Sequence, residues 1–180
     1  MKIVYEYSHL GGSEILTVRY PGVSREIDQV IEAIQPFRNK ISREKTMTGK
    51  ALFSPIEMNK QFRQQFNQHG FVEIRDYFDI VLPGQEVPIS RAFKQVDFAR
   101  DHILIEVQFG KYPFMFYDLA KFQYFFNESK AEVGVEIVPC HALHAEMSTG
   151  VAYGEQLIND IERLKRHFPA VPVKVILIDA

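Results

Sequence analysis

An α/β fold, with a mixed β-sheet flanked by helices, is what the sequence predicts, on three observations. Apolar runs of strand length, at 102–109, 133–138 and 172–178, alternate with stretches whose apolar residues recur at helical spacing. The last two runs are almost unbroken, the pattern of strands covered on both faces of a sheet. No linker, repeat or low-complexity tract divides the 180 residues, so residues 1–180 are expected to form one domain around one core.

Lys2–Tyr7 alternates as a short strand and closes at Gly11-Gly12. Ile15–Tyr20 is expected as a second strand or an extended approach, ended by the Pro21-Gly22 turn signal. Ser24 is the expected cap of an amphipathic helix with Glu26, and with Ile27, Val30, Ile31 and Ile34 along one face. That helix should stop before Pro36, which drives its predecessor out of the helical region. Residues 36–50 are polar and basic and predict a surface loop; lysine and arginine there suit phosphate contact, though solvated loops share this composition.

Ser54-Pro55 opens the next helix, serine as N-cap and proline at the first helical position. It should run to about His69, with Ile56, Phe62 and Phe66 inward, and stop at Gly70. Phe71–Ile74 and Phe78–Leu82 are expected as strands of a meander or hairpin, followed by the Pro83-Gly84 turn and a patternless loop over 84–95. Tyr117–Asn127 is an aromatic-rich helix whose rings cover more circumference than one core face uses, which points to a dimer surface. Val133–Val138 is a buried strand, His141–Met147 a short helix or turn, and Ser148-Thr149-Gly150 a polar loop. Gly154–His167 is a helix with Leu157, Ile158, Ile161 and Leu164 inward. Pro172–Ile178 is a last strand, apolar enough for the middle of a sheet.

Composition excludes several classes. Hydrophobic content of 46% with 24% charged residues is ordinary for a soluble globular chain. No run approaches the roughly 18 apolar residues of a membrane span. The opening Met-Lys-Ile-Val-Tyr-Glu-Tyr has a strand pattern rather than that of a signal peptide. The single Cys140 allows neither an internal disulfide nor a thiolate zinc cage, and the cytoplasm is the expected compartment. A net charge of −2 argues weakly against nucleic acid. Basic residues do gather locally, at Arg38–Lys50, at Arg91, Lys94 and Arg100, and at Arg163–His167.

Chemistry concentrates at 96–118. The strand His102–Phe109 should be wholly apolar, but Glu106 and Gln108 interrupt it and, two apart, project to one face. Asp97 arrives from the segment just before. A carboxylate in a half-buried strand is costly unless a partner or metal neutralises it. Two readings stand here: a divalent-metal site, or the wet face of an edge strand. For the first, Mg²⁺ takes hard oxygens and only one or two carboxylates, here Asp97 and Glu106, with the Val107 carbonyl and a phosphate oxygen beside them. Asp101 competes less well and is expected to pair with Arg100 or Lys94. His141 and His144, followed by Glu146, could be argued as a zinc site, but packing is the preferred reading. Cys140 has no evident base and suits a small buried apolar position. No glycine-rich phosphate loop precedes a helix.

Asp97, then Glu106-Val-Gln108, then Phe-Gly-Lys-Tyr-Pro-Phe, resemble the active-site segment of type II restriction endonucleases of the BglII/BstYI group, within the PD-(D/E)XK nuclease fold. The likeness extends to the opening Met-Lys-Ile-Val and Tyr-Ser-His-Leu, to Lys50-Ala-Leu-Phe-Ser-Pro, to Val133-Gly-Val-Glu-Ile, and to Glu146-Met-Ser-Thr-Gly. The resemblance implies a restriction-endonuclease-like core in which Asp97 and Glu106 hold Mg²⁺. Gln108 takes the place where most of this fold has lysine; its amide can orient water but brings no charge. Asn59 would stand near the attacking water, Lys111 would reach bases in the major groove, and Ser148 and Thr149 would form a second recognition loop. The implied activity is cleavage of double-stranded DNA by a homodimer at a palindrome with GATC at its centre, leaving 5′ overhangs. Another nuclease of the same fold, for repair or junction cutting, would not need Lys111 or Ser148-Thr149. A DNA-binding protein that has lost cleavage is the other alternative, and Gln108 is the feature that raises it. This chain is compact for the group, so the outer base pairs stay unassigned.

Overall fold

Six strands form one mixed sheet in the order β1-β8-β7-β6-β5-β4 in the computed structural model, which describes residues 1–180. The strands are β1 (Lys2–His9), β4 (Val72–Ile80), β5 (Ile89–Arg100), β6 (Ile103–Val107), β7 (Val133–Pro139) and β8 (Val173–Asp179). A two-residue ladder, β2 (Lys40–Ile41) with β3 (Ala51–Leu52), lies apart. The helices are α1 (Gly12–Arg19), α2 (Pro21–Ala33), α3 (Pro55–Gln68), α4 (Tyr112–Asn127), α5 (His141–His144) and α6 (Gly154–Leu164).

The strands β6, β7 and β8 run parallel; β1 pairs antiparallel with β8, β5 antiparallel with β6, and β4 antiparallel with β5 at the far edge. The parallel strands are buried throughout, except at Asp179. Their Val/Ile-rich runs, interrupted by Glu106, Glu136 and Lys174, fit that position, between helices on both faces. Helix α3 starts where the sequence indicates: Ser54 caps the Glu57 N–H at 3.5 Å, and Gly70 accepts the left-handed φ of 78° that ends it. Both Phe62 and Phe66 are fully buried, but Ile56 is 82% exposed and contributes nothing to the core.

Several expectations about these elements fail. Ile15–Tyr20 is helical, not extended. Its β-branched residues favour a strand, yet Gly12 lets α1 lie directly on β8, and tertiary packing overrides a weak propensity. Helix α2 begins at Pro21, so this proline starts a helix rather than ending a strand, and Ser24 is buried inside it instead of capping it. Phe71–Ile74 and Phe78–Leu82 are parts of one strand, β4, whose middle is polar because both faces touch solvent or charge: Asp76 accepts from Tyr124 Oη at 2.7 Å and from Lys130 Nζ at 2.6 Å. Residues 89–95, expected in a loop, belong to β5, a long hairpin partner held by ladder bonds rather than by burial.

The aromatic helix begins earlier than its pattern indicated, at Tyr112, with Pro113 in its first turn. Phe122 and Phe125 are core, and Tyr112, Phe116, Tyr124 and Phe126 pack partly against it, leaving Phe114 and Tyr117 outermost. Cys140 is buried, and burial pushes its thiol up. The Arg100 guanidinium lies 3.3 Å from Asp101, as expected.

A Cβ at Gly12 would lie 2.4 Å from the Val173 carbonyl carbon, a backbone atom that cannot rotate away. Gly12→Ala is therefore expected to push α1 off β8 and cost about 1–3 kcal/mol, as overpacking does. Thermal denaturation checks this; an unchanged melting temperature would mean that α1 is not seated as described.

Candidate active site

Phe98 pairs with Ile105 and Ala99 with Leu104 across β5 and β6, and one further step of that register sets Asp97 opposite Glu106. In the parallel pair β6–β7, Glu106 lies beside Glu136. Asp97, Glu106 and Glu136 thus form a row across three adjacent strands, and opposed residues share a face. The wet-edge reading of Glu106 fails, because β6 is interior and Glu106 is 3% exposed.

Helix α4 covers this row. It can approach because Gly134, two residues before Glu136, lies under the Phe122 ring, where any Cβ would come within 2.4 Å. From α4 the Lys121 ammonium donates to Glu106 and lies 2.7 Å from the Asp118 carboxylate. Gln108 lies just past the strand, its own N–H still donating to the Ile137 carbonyl at 3.0 Å. Its amide Nε2 donates to Asp118 Oδ2 at 2.9 Å, and its Oε1 accepts from the Gly110 N–H at 2.8 Å.

Asn59, Asp97 and Val107 line one cavity of about 220 Å³, together with Phe62, Arg63 and Phe98. Arg63 and Asp97 also border a neighbouring cavity of about 270 Å³. Arg63 was not singled out from sequence, although it stands one helical turn from Asn59 and so shares its face. Asp118, Lys121 and Glu136 were missed too. A lone acid inside Val-Gly-Val-Glu-Ile-Val, and an Asp and Lys three apart within an aromatic helix, were the available signals.

Lys111 is exposed at the start of α4. The loop bearing Ser148 and Thr149 is tied beside it, for the Ala152 N–H donates to the Gly110 carbonyl at 2.8 Å. Residues 36–50 are not a free loop but a strap over that segment. Lys40 donates to Ser148 Oγ, the Thr149 N–H donates to Glu44 at 3.2 Å, and Glu146 holds Arg38 and Lys50. Glu146 is thereby committed to cations, while His141 and His144 pack with Tyr153, which leaves no zinc set. All these groups gather beyond the C-terminal ends of β6 and β7, where open α/β sheets place their ligands.

The row is short of positive charge. Burial, then the charges of Asp118 and Asp97, push Glu106 up to about 9, although Lys121 opposes the shift. Burial raises Asp118 as well. Burial alone would lower Lys121, but Glu106 and Asp118 on either side carry it above the ordinary lysine value. Neither carboxylate oxygen of Glu136 has a partner. No three His, Cys, Asp or Glu side chains form a ready cage, yet two facing carboxylates beside a backbone carbonyl are the donor set a hard divalent cation accepts. The surplus of acid makes these residues a fit for such an ion.

Burial, then Asp118 and Glu106, hold Glu136 protonated well above the ordinary glutamate value of 4.5. Above that pH the unfolded chain has released this proton and the folded chain keeps it, so stability falls as pH rises toward the folded value. Glu136→Gln removes that slope. Its melting temperature is expected to match wild type near about pH 4 and to exceed it increasingly toward about pH 8; a wild-type advantage at the higher pH would contradict the buried, unpartnered acid.

The sequence model of the family described as "Restriction endonuclease BglII/BglIII" matches residues 4–178. The type II restriction enzyme BglII of Bacillus subtilis is 24% identical over 178 residues, covering 93% of this chain and 71% of that enzyme. The crystal structure of BglII complexed with a DNA 16-mer superposes with a TM-score of 0.78 at 21% identity, covering all of this chain and 79% of the other. That of free BglII gives 0.68 at 19%, covering all of this chain and 80% of the other. These likenesses support the restriction-endonuclease-like core, and the family match spans nearly the whole sequence: the chain belongs to the BglII/BglIII family of type II restriction endonucleases.

Proposed function

We propose that this endonuclease cuts double-stranded DNA in a Mg²⁺-dependent reaction, as a homodimer, at a palindrome with GATC at its centre, leaving 5′ overhangs. One observation carries the reading: the β5–β6 register, carried one step past Phe98 and Ile105, sets Asp97 opposite Glu106, and Asp97 lines one cavity with Asn59 and Val107. The Ala152 N–H bond to the Gly110 carbonyl brings the segment after Ser148-Thr149 beside the turn before Lys111, at the C-terminal end of β6. A cleavage centre beside two base-reading elements is what a site-specific nuclease needs, and a repair or junction nuclease does not.

Asp97, Glu106 and the Val107 carbonyl would hold the ion, which when bound supplies an activated water and charge stabilisation for the leaving oxygen. Asn59, on α3 at the same cavity, would stand near the attacking water. Gln108 acts differently from a lysine at the same place: its amide is engaged at both ends, so it fixes Asp118 and the Gly110 turn. That turn leads directly into Lys111, whose ammonium can donate to guanine O6 or N7. Ser148 and Thr149 would supply a hydroxyl pair for the second contact, and Lys40, Arg38 and Lys50, which pair with Ser148 and Glu146 in the free protein, would meet phosphates beside them. A DNA partner accords with the relative crystallised on a DNA 16-mer. A two-fold dimer matches a palindrome, and Phe114 and Tyr117 remain exposed on α4 for such a contact.

Digestion of methylation-free DNA with Mg²⁺, followed by sequencing of the ends, tests the reading. Discrete fragments with four-base GATC overhangs are expected; random nicking would favour a repair-type nuclease, and a specific gel shift in Ca²⁺ without cutting a binding-only protein. Asp97→Ala should abolish cleavage and leave specific binding measurable, so cutting at the wild-type rate would remove Asp97 from the metal site. Lys111→Ala should weaken specific binding by about 1–3 kcal/mol and relax selection at one base pair, which competition against single-base variants of the site measures.

A further inference from the structure

Four acids influence one another on this face of the sheet, Asp97, Glu106, Asp118 and Glu136; Arg63 borders the cavity beside Asp97, and Lys121 is the one basic side chain that pairs with any of the four. Its side chain is 14% exposed, and the two carboxylates it touches, Glu106 and Asp118, are 4% and 2% exposed. The contacts run in series. The Gly110 N–H holds the Gln108 oxygen, the Gln108 amide holds Asp118, Asp118 holds Lys121, and Lys121 donates to Glu106. The strand itself brings no cation to this point, because Gln108 is neutral.

We propose that Lys121 is the fixed cation of the active site, a positioning residue that acts through Glu106 from helix α4 and supplies the charge that Gln108 does not. The inference rests on the Mg²⁺-dependent cleavage proposed above. In the free protein Lys121 competes with a divalent ion for Glu106, and during cleavage it keeps the Glu106 carboxylate in place and offsets the surrounding acids. Metal affinity and turnover are therefore opposed: taking the ammonium away improves the first and damages the second. A residue that merely supported the fold would weaken both.

Lys121→Met retains the stem and removes the charge; Lys121→Arg retains the charge. Mn²⁺ binding to the DNA-free protein, followed by electron paramagnetic resonance, is expected to tighten about tenfold in Lys121→Met, since one nearby positive charge is gone. Single-turnover cleavage with Mg²⁺ should slow about a hundredfold, comparable to losing one fixed donor in an active site, with DNA affinity in Ca²⁺ unchanged. Lys121→Arg should recover the rate to within about tenfold. Wild-type Mn²⁺ affinity with a wild-type rate in Lys121→Met overturns the proposal, and so does weakened Mn²⁺ binding. Should Lys121→Met melt below the assay temperature, the Asp118→Asn/Lys121→Met double variant, which also removes a carboxylate that Lys121 held, takes its place, and cutting at the wild-type rate overturns the proposal. If wild type itself cuts no DNA, the cleavage reading fails, while the Mn²⁺ comparison still decides the role of Lys121: tighter binding upholds it and equal binding overturns it.

Discussion

Carboxylates on the covered face of the sheet are the constraint around which this chain is organised. Glu106 and Glu136 sit side by side on β6 and β7, and each is almost or wholly without solvent. Buried anions of this kind survive only with protons, partners or cations. One side chain, Lys121, reaches Glu106, and nothing reaches Glu136. The arrangement is a poor way to make a stable sheet and a good way to make a cation seat. Stability is given up at the point where the proposed function puts the cation, and the apolar faces of α2, α3 and β8 supply the compensation.

Helix α4 links that seat to the surface that faces DNA in the proposed function. Its first turn follows Lys111, its middle carries Asp118 and Lys121, and Phe122 anchors it on Gly134. The Gly110 turn is shared: its N–H fixes Gln108 and its carbonyl accepts from Ala152, beside the Ser148-Thr149 loop. The strap at 36–50 closes the other side of that loop through Lys40 and Glu44. Contiguous hydrogen bonds thus connect the turn before Lys111 and the Ser148-Thr149 loop with Gln108 and Asp118.

Elements that satisfy their own pattern were legible in the sequence. The parallel strands β7 and β8 are apolar runs interrupted only by Glu136 and by Lys174 before Asp179, and α3 has its Ser-Pro start and Gly70 stop. The hairpin β4–β5 was not legible, because its residues are paired by ladder bonds while staying half-exposed, and alternation carries no signal when neither face is fully buried. The helix α1 was misread because a glycine contact with β8, invisible in one dimension, decides its conformation. The same holds at the site. Asp97 and Glu106 stood out by type and spacing. Glu136 becomes informative only once the β6–β7 register places it beside Glu106, and Lys121 only once α4 is docked.

Gln108 shows why a departure from a motif need not mean lost chemistry. The position must accept from the Gly110 N–H and donate to Asp118 at once, and an amide does both. A lysine there has no acceptor, would leave the Gly110 N–H unpaired, and would bring a second ammonium to an Asp118 that Lys121 already holds. On the proposed role of Lys121, glutamine just past the strand and lysine on the helix are one solution rather than two separate choices. With the ammonium on α4, the strand end is free to make the tight Gly110 turn, and that turn delivers Lys111 to the outer face.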